Sequence, residues 1–297
     1  MSAALDLSRW SADCLAQVER CLEAWVPASA PAGLGQAMRY AVLDGGKRLR
    51  PMLVMAAAQA VQGHTDAALR AACAVELIHA YSLVHDDMPC MDNDVLRRGK
   101  PTVHVQFGQA QALLAGDALQ ALAFELLTPE GDVVDPRTQA RLCALLARAA
   151  GHDGMAGGQA IDLASVGRAL SEDELRRMHR LKTGALLRGS VMMGAACGEA
   201  SPQALEALGR YGDALGLAFQ VVDDILDVTA DSTTLGKTAG KDAANDKPTY
   251  VSLMGLEPSR AYAARLLQDA DSALQASGLS DTRALAAIAR MVVHREH

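Results

Sequence analysis

Apolar residues recur at intervals of three and four along most of the chain, and this period restricts the fold to packed α-helices. Near the start, Leu15, Val18, Leu22 and Trp25 form the apolar face of an amphipathic helix. The alternating pattern of a strand is nearly absent, so we predict an all-α protein. The further predicted helices span 33–44, 50–62, 66–87, 105–127, 137–164, 172–197, 202–228, 259–276 and 282–293.

Several of these predicted helices exceed twenty residues and are apolar on more than one face, as in 202–228. Such helices are typical of the centre of a bundle. Ser171 and Glu174 form a capping box, which indicates a helix start there. Half of the 297 residues are hydrophobic, which is enough for one large core, and no linker rich in Pro, Gly and Ser divides the chain. We therefore predict a single all-α bundle over 1–297.

Composition and charge exclude several classes of function. The formal net charge is −7, and no stretch combines Lys and Arg with aromatic residues, so nucleic acid is not expected as a partner. Asp6 and Arg9 interrupt the N-terminus, which lacks the apolar run of a secretory signal, and we expect a cytoplasmic protein. No uncharged apolar stretch of about eighteen residues is present, so no membrane span is expected. The six cysteines show no metal-ligand spacing, which predicts reduced thiols.

Two aspartate clusters stand inside apolar helical regions. In "QVVDDILD", Asp223 and Asp227 are four residues apart and share one helix face, with Gln220 and Asp224 beside them. Carboxylates placed one turn apart on an apolar helix repel each other unless a cation lies between them. Because the ligand atoms are all oxygen, the cluster predicts a site for Mg²⁺ or a similar hard cation.

The other cluster, "HDDMPCMDND", needs a break in its helix before it can bind a cation. Asp86 and Asp92 are six residues apart, about 240° around a regular helix, so they would point away from each other. Pro89 resolves this difficulty, because proline ends a helix and lets the chain turn back. We therefore predict that the helix ends near Asp87 and that Asp92 returns toward Asp86.

Basic residues accompany both acidic clusters and predict an anionic substrate. In "GGKRLRP", Lys47 and Arg50 share a face near a helix start, where Gly45 and Gly46 allow close backbone approach to an anion. A diphosphate could be bound jointly by such cations and by metal ions on the carboxylates. No nucleophilic triad is evident. Further basic candidates are His79, Arg97, Arg98, Lys182, Lys237, Lys241 and Lys247.

Together these motifs resemble, in sequence order, those of the short-chain trans-prenyl diphosphate synthases, and most closely of the bacterial farnesyl-forming members. The resemblance covers nearly the whole chain. It implies an all-α bundle with a deep central cavity, two aspartate clusters on opposite walls, and a homodimer. The motifs are "GGKRLRP", "ELIHAYSLVHDDMPCMDNDVLRRGKPTVH", "GDALQALAFELL", "GMAGGQAIDL", "LKTGALL" and "FQVVDDILDVTADSTTLGKTAGKDAANDKPTY".

The resemblance also assigns roles to individual residues. It implies three Mg²⁺ ions, replaceable by Mn²⁺, with Asp87 and Asp224 supporting the direct ligands. The metal-binding residues would be Asp86, Asp87, Asp92, Asp223, Asp224 and Asp227. The allylic diphosphate site would comprise Arg97, Lys182, Lys237, Thr183 and Gln220. The isopentenyl diphosphate site would comprise Lys47, Arg50, His79 and Arg98. Lys247, and with it Asp242, would belong to a mobile active-site loop within 229–249.

The implied reaction joins isopentenyl diphosphate to dimethylallyl diphosphate and then to geranyl diphosphate, with farnesyl diphosphate as the main product. Tyr81 and Ser82 precede the first aspartate cluster by about one helical turn. Helical geometry leaves open which of them closes the product channel, and the resemblance favours Tyr81. Cys90 and the C-terminus "VVHREH", which lacks the usual basic ending, depart from the family's pattern.

Other functions remain open at this point. Within the same family, the product could be geranyl or geranylgeranyl diphosphate. A terpene cyclase would share the bundle but carry a different second metal motif. A metal-dependent phosphohydrolase using His85 would need further histidine ligands, and a non-catalytic subunit would be expected to lose one of the clusters.

Overall fold

The computed structural model describes residues 5–43, 45–168, 170–229 and 249–295, and fourteen α-helices lie within these ranges. Their bounds, in chain order, are α1 Leu7–Trp25, α2 Leu34–Val42, α3 Leu49–Ala60, α4 Thr65–Asp86, α5 Val103–Phe107, α6 Gln109–Leu127, α7 Pro136–Ala150, α8 Met155–Ala164, α9 Glu172–His179, α10 Ala185–Ala196, α11 Pro202–Thr229, α12 Tyr250–Met254, α13 Leu256–Ala276 and α14 Arg283–Val293. A π-helical segment, Arg180–Gly184, joins α9 to α10. The all-α prediction is confirmed.

Helices α4 and α11 carry the aspartate clusters and are largely buried, as their apolar composition predicts. Leu77 and Ile78 of α4 and Tyr211 of α11 are fully buried. The Tyr211 hydroxyl donates to the carbonyl oxygen of Leu285 at 2.7 Å, which satisfies a polar atom inside the core. The clusters therefore lie on, or directly after, two largely buried helices.

Two predicted helices are divided in the structure, and a third contains a π-helical segment. The predicted helix 105–127 breaks at Gly108, whose φ of +87° is outside the helical region, and gives α5 and α6. The predicted helix 137–164 is two helices, α7 and α8, separated by a turn from Gly151 to Gly154. The predicted helix 172–197 is continuous only through the π-helical segment, which places one extra residue in a turn. Periodicity did not detect these breaks, because apolar residues continue across them.

The only strands in the described ranges form a two-stranded hairpin, Leu96–Arg97 and Lys100–Pro101. Its register pairs Leu96 with Pro101. Arg98 and Gly99 at the turn both have positive φ, as a tight hairpin turn requires. The hairpin projects Arg97 and Arg98 beside the first aspartate cluster.

Two helices of the described residues, α4 and α6, have the length and hydropathy of a membrane span. The core helices of a bundle pass the same test. In α4, 67% of the apolar window is buried inside the protein, which accounts for its composition. In α6 the corresponding share is 39%, so this helix leaves an apolar face exposed.

Close backbone contact between the π-helical segment and α11 fixes this part of the bundle. A Cβ atom added to Gly216 would lie 2.7 Å from the Cα atom of Gly184, whereas a Cβ atom added to Gly184 would make only ordinary contacts. Both residues are buried. The two elements therefore touch through their backbones, which places Thr183 against α11.

We expect Gly216→Ala to lower the free energy of unfolding by about 1–3 kcal/mol, because the added methyl group meets backbone that cannot rotate away. The matched control is Gly184→Ala, which should change the free energy of unfolding by less than about 1 kcal/mol. Urea denaturation of both proteins measures the difference. Equal stability of the two variants would contradict the proposed backbone contact.

Candidate active site

One cavity of about 400 Å³ lies between α4, α8 and the π-helical segment. Tyr81, Ser82 and Asp86 line it from α4, while Lys182 and Thr183 line it from the π-helical segment. Helix α8 contributes apolar wall through Met155, Ala156, Ala160 and Leu163, and Arg50 and His79 also reach the cavity. The cavity therefore combines charged groups with an apolar wall.

The chain turns at the first aspartate cluster as the sequence predicts. Helix α4 ends at Asp86, and the backbone N–H of Asp92 donates to the carbonyl oxygen of Asp86 at 2.8 Å. The segment containing Pro89 thus brings Asp92 back beside Asp86, which confirms the predicted turn. Burial raises the pKa of Asp86 from 3.8 to about 6; Lys182 opposes this rise, and Asp92 adds to it.

Asp87 is held by Arg97 in a two-pronged ion pair. The Arg97 Nε lies 2.9 Å from Oδ2 and Nη2 lies 2.6 Å from Oδ1, and Asp87 is only 3% exposed. Burial raises the pKa of Asp87, and its contact with Arg97 opposes that rise. This arrangement agrees with a supporting role for Asp87. It also gives Arg97 a protein partner that the sequence analysis did not anticipate.

In the second cluster, the three aspartates of α11 have different surroundings. Asp224 is 2% exposed, and its carboxylate accepts from Gln220 Nε2 at 2.9 Å and from the backbone N–H of Tyr250 at 2.8 Å. Asp227 is also buried. The side chain of Asp223 is 39% exposed, the largest exposure in the cluster. Asp224 therefore anchors the chain at α12, while Asp223 faces solvent-accessible space.

Lys182 and Thr183 are positioned by neighbours on α8 and α11. Lys182 Nζ lies 2.6 Å from Asp162 Oδ2, and Thr183 Oγ1 donates to Gln220 Oε1 at 3.2 Å. Asp162 was missed as a site residue, although it stands in the quoted stretch "GMAGGQAIDL". A buried aspartate in an apolar helix was the available signal. Gly158 allows α8 to pack directly against the π-helical segment, since a Cβ atom there would lie 2.1 Å from the backbone nitrogen of Lys182.

The basic residues predicted for isopentenyl diphosphate surround the start of α3. Arg50 and His79 line the cavity, and Arg98 Nη1 donates to the carbonyl oxygen of Gly45 at 2.6 Å. Gly46 has a φ of +132°, and a Cβ atom there would come within 2.8 Å of the Arg98 guanidinium. Burial holds the pKa of His79 well below its usual value, and the nearby cations, first Arg50, lower it further. His79 is therefore a neutral imidazole near neutral pH.

Arg48, which the sequence analysis did not select, anchors this basic segment. Its guanidinium is buried and pairs with Glu76 at 2.7 Å and with Glu19 at 2.6 Å. Its Nη2 also donates to the Val42 carbonyl oxygen at 2.6 Å. A positive φ of +46° directs this side chain into the core, whereas the adjacent Lys47 is exposed.

Arg295, which follows α14, also reaches the second cluster. Arg295 Nη2 lies 2.5 Å from Asp223 Oδ1 and donates to the Phe219 carbonyl oxygen at 2.9 Å. The ending "VVHREH" thus supplies a basic group to the second cluster. Lys237, Lys241, Asp242 and Lys247, with the loop assigned to them, lie outside the described residues.

The donor set suits a hard cation. The two clusters offer carboxylate oxygens, which are the ligands that Mg²⁺ prefers, and the raised pKa of Asp86 reflects charge that a cation would stabilise. Among the described residues, no three His, Cys, Asp or Glu side chains converge closely enough to bind an ion by themselves.

Comparison with known proteins decides the family. The sequence model described as "Polyprenyl synthetase" matches residues 31–279. The chain belongs to the polyprenyl synthetase family. It is 48% identical over 265 residues to farnesyl diphosphate synthase of Escherichia coli K12, covering 88% of each chain. It is also 46% identical to the large subunit 1 of the heterodimeric chloroplastic geranylgeranyl pyrophosphate synthase of Arabidopsis thaliana, covering 94% of this chain and 77% of that protein.

A solved structure agrees with this assignment. An FPP/GFPP synthase from Zymomonas mobilis superimposes with a TM-score of 0.87 at 42% identity, covering 98% of this chain and 100% of that one. The fold is therefore that of the polyprenyl synthetase family, as predicted. The enzyme class follows as well: the chain is a trans-prenyltransferase.

We expect Asp86→Asn to increase the stability of the metal-free enzyme at about pH 7.5 by roughly 1–3 kcal/mol. The folded protein binds a proton at Asp86 more tightly than the unfolded chain does. Protonation of Asp86 therefore contributes fully to the free energy of unfolding below pH 3.8, and this contribution is lost as the pH rises through about 6. The amide of asparagine mimics the protonated acid at every pH. The advantage of the variant should therefore shrink toward about pH 4.5.

Urea denaturation in EDTA at the two pH values measures this difference. The control is Asp153→Asn, whose side chain is 89% exposed and should show no comparable pH-dependent gain. An Asp86→Asn protein with wild-type stability at about pH 7.5 would show that the carboxylate is not destabilised by burial.

Proposed function

We propose that this polyprenyl synthetase condenses isopentenyl diphosphate with dimethylallyl diphosphate and then with geranyl diphosphate. The main product proposed is (2E,6E)-farnesyl diphosphate. One observation carries this proposal: Asp86 of the first cluster lines a single cavity together with the basic residues Arg50 and Lys182 and an apolar wall. The charged groups suit a diphosphate, and the apolar wall suits a prenyl chain. Similarity to the farnesyl diphosphate synthase of E. coli supports the same reaction.

We propose that Asp86, Asp92 and Asp223 bind Mg²⁺ together with the substrate diphosphate, with Asp227 completing the second cluster. Three ions are expected, and Mn²⁺ should substitute for them. Asp87 and Asp224 support these ligands, and they accept hydrogen bonds from Arg97 and Gln220 respectively. When bound, the ions supply positive charge that stabilises the departing diphosphate.

Lys182 has the geometry to hold the allylic diphosphate. It lines the cavity and lies within electrostatic range of Asp86, while Asp162 fixes the direction of its ammonium group. Thr183 lines the cavity and donates a hydrogen bond to Gln220, and we assign both residues to the allylic substrate. Arg97 and Lys237 are assigned to the same diphosphate, and Lys247 to the loop that covers it.

The isopentenyl diphosphate site is assigned to Lys47, Arg50, His79 and Arg98. Three of these side chains are cationic, and neutral His79 can donate one hydrogen bond to a phosphate oxygen. The buried pairs of Arg48 hold the segment in place. Binding energy at this end of the substrate would fix its double bond near the allylic carbon.

The reaction then follows from charge and position. The carbon–oxygen bond of the allylic substrate breaks, and diphosphate leaves with the bonding electrons. The double bond of isopentenyl diphosphate attacks the allylic cation, which forms the new carbon–carbon bond. The resulting cation loses a proton to the released diphosphate, and a new double bond forms.

Product length depends on how far the cavity extends past the first cluster. Tyr81 and Ser82 both line it. The Ser82 side chain is small and its hydroxyl donates to the His79 carbonyl oxygen at 2.8 Å, so Tyr81 is the bulkier barrier. The ring of Tyr81 packs edge-on against His85, with centroids 5.7 Å apart. A geranylgeranyl product is the second candidate, because geranylgeranyl pyrophosphate synthases are comparably similar in sequence. A geranyl product is the third.

A homodimer and a cytoplasmic location are further parts of the proposal. Leu113 and Leu114 of α6 are 47% and 53% exposed, and Val105 of α5 is 49% exposed. An apolar surface of this kind is typical of a protein interface. A second copy of the chain would cover it.

We expect condensation to require Mg²⁺ or Mn²⁺ and to stop in EDTA. Asp223→Ala should lower turnover by at least about a hundredfold, because it removes charge stabilisation when diphosphate departs. Asp213→Ala is the control on the same helix, since its side chain is 49% exposed at a distance from the cluster. Incubation with isopentenyl diphosphate and each allylic primer, followed by product extraction and diphosphate measurement, tests both statements. Normal turnover in EDTA would contradict the mechanism.

We expect wild-type enzyme to make mainly a C15 product and Tyr81→Ala to make C20 or longer products. Removing the ring opens the cavity where an additional prenyl unit would lie. Ser82→Ala is the control, because it keeps the volume nearly unchanged. Chromatography of the dephosphorylated products measures chain length. A Tyr81→Ala enzyme that still stops at C15 would refute the role of this residue.

A further inference from the structure

Arg295 is tightly held beside the second aspartate cluster although it follows the last helix. Its side chain is only 13% exposed. The guanidinium carbon lies 4.1 Å above the centroid of the Phe219 ring, and Nη2 donates to both the Phe219 carbonyl oxygen and Asp223 Oδ1. These three contacts belong to one guanidinium group, so its position is well defined.

The contact falls on the most accessible carboxylate of the cluster. Asp224 is bonded to Gln220 and to the backbone of Tyr250, whereas Asp223 is 39% exposed and meets Arg295 at 2.5 Å. Lys47 belongs to the same charged group: loss of hydration lowers its pKa, Arg295 lowers it further, and Asp223 raises it. Two protein cations therefore lie near one carboxylate.

A carboxylate oxygen that accepts a short hydrogen bond from a guanidinium group cannot offer the same lone pair to a metal ion. We propose that Arg295 occupies the metal-binding side of Asp223 in the substrate-free enzyme and competes with the divalent cation. This inference rests on the proposed function, because it takes Asp223 to be a metal ligand. A cation can take this position on Oδ1 of Asp223 only when the guanidinium moves away.

The other contacts of Arg295 make this competition effective. The ring of Phe219 and its carbonyl oxygen hold the guanidinium against α11 whether or not Asp223 is ionised. A metal ion must therefore displace a group that is tethered at the site. The expected consequence is weaker metal binding to the free enzyme than the carboxylates alone would give.

The test measures Mn²⁺ binding without substrate, using electron paramagnetic resonance to quantify free Mn²⁺. Arg295→Gln should bind Mn²⁺ about fivefold more tightly than wild type, as expected for loss of a partly buried ion pair. Phe219→Leu, which keeps the charge but removes the ring beneath it, should give a smaller increase. Arg290→Gln is the matched control: Arg290 lies on α14 and pairs with Asp271 at 3.7 Å, and its loss should leave Mn²⁺ affinity unchanged within about twofold.

An Arg295→Gln protein that binds Mn²⁺ no more tightly than wild type, or not at all, overturns the proposal. So does an equal gain in Arg290→Gln, which would indicate a general charge effect. Adding Asp223→Asn to Arg295→Gln should abolish the gain, and its persistence would place the competition elsewhere. Failure here is distinct from failure of the proposed function, which is tested separately by metal-dependent condensation activity.

Discussion

The cost of burying carboxylates inside apolar helices is the constraint on which the site depends. Asp87 pairs with Arg97, Asp162 with Lys182, and Asp223 with Arg295, while Asp224 accepts two neutral hydrogen bonds. Burial without such partners would leave each carboxylate poorly solvated. The acidic site is thus surrounded by its own fixed donors, and these donors hold the carboxylates in defined orientations.

The negative charge of Asp86 is offset less completely by nearby cations than the charge of Asp87. Asp87 has a guanidinium in direct contact, whereas Asp86 is influenced by Lys182 and Arg97 against the opposing effects of burial and of Asp92. The raised pKa of Asp86 therefore reflects a cost of burying this carboxylate that its neighbours do not remove. A site that binds cations is expected to carry such a cost, because stability and ligand affinity make opposite demands on the same group.

Close backbone packing gives the site its precision. Gly216 contacts Gly184, and Gly158 contacts the backbone of Lys182, so α8, α11 and the π-helical segment approach without intervening side chains. This approach places Asp162 beside Lys182 and Gln220 beside Thr183. Apolar residues of α8 form the neighbouring wall. Polar and apolar parts of the cavity are consequently built on the same rigid contacts.

The sequence by itself determined the helical class, the long buried helices and the turn at Pro89, because each depends on local periodicity or on backbone chemistry that one residue carries. It also identified Lys182 and both aspartate clusters as candidates. Only the tertiary structure showed that Asp162 orients Lys182, that Arg48 anchors the basic segment, and that Arg295 reaches Asp223. These pairs join residues 20, 28 and 72 positions apart. Helical periodicity describes which face a residue occupies, but contacts between distant helices depend on how those helices pack, and no local pattern specifies that packing.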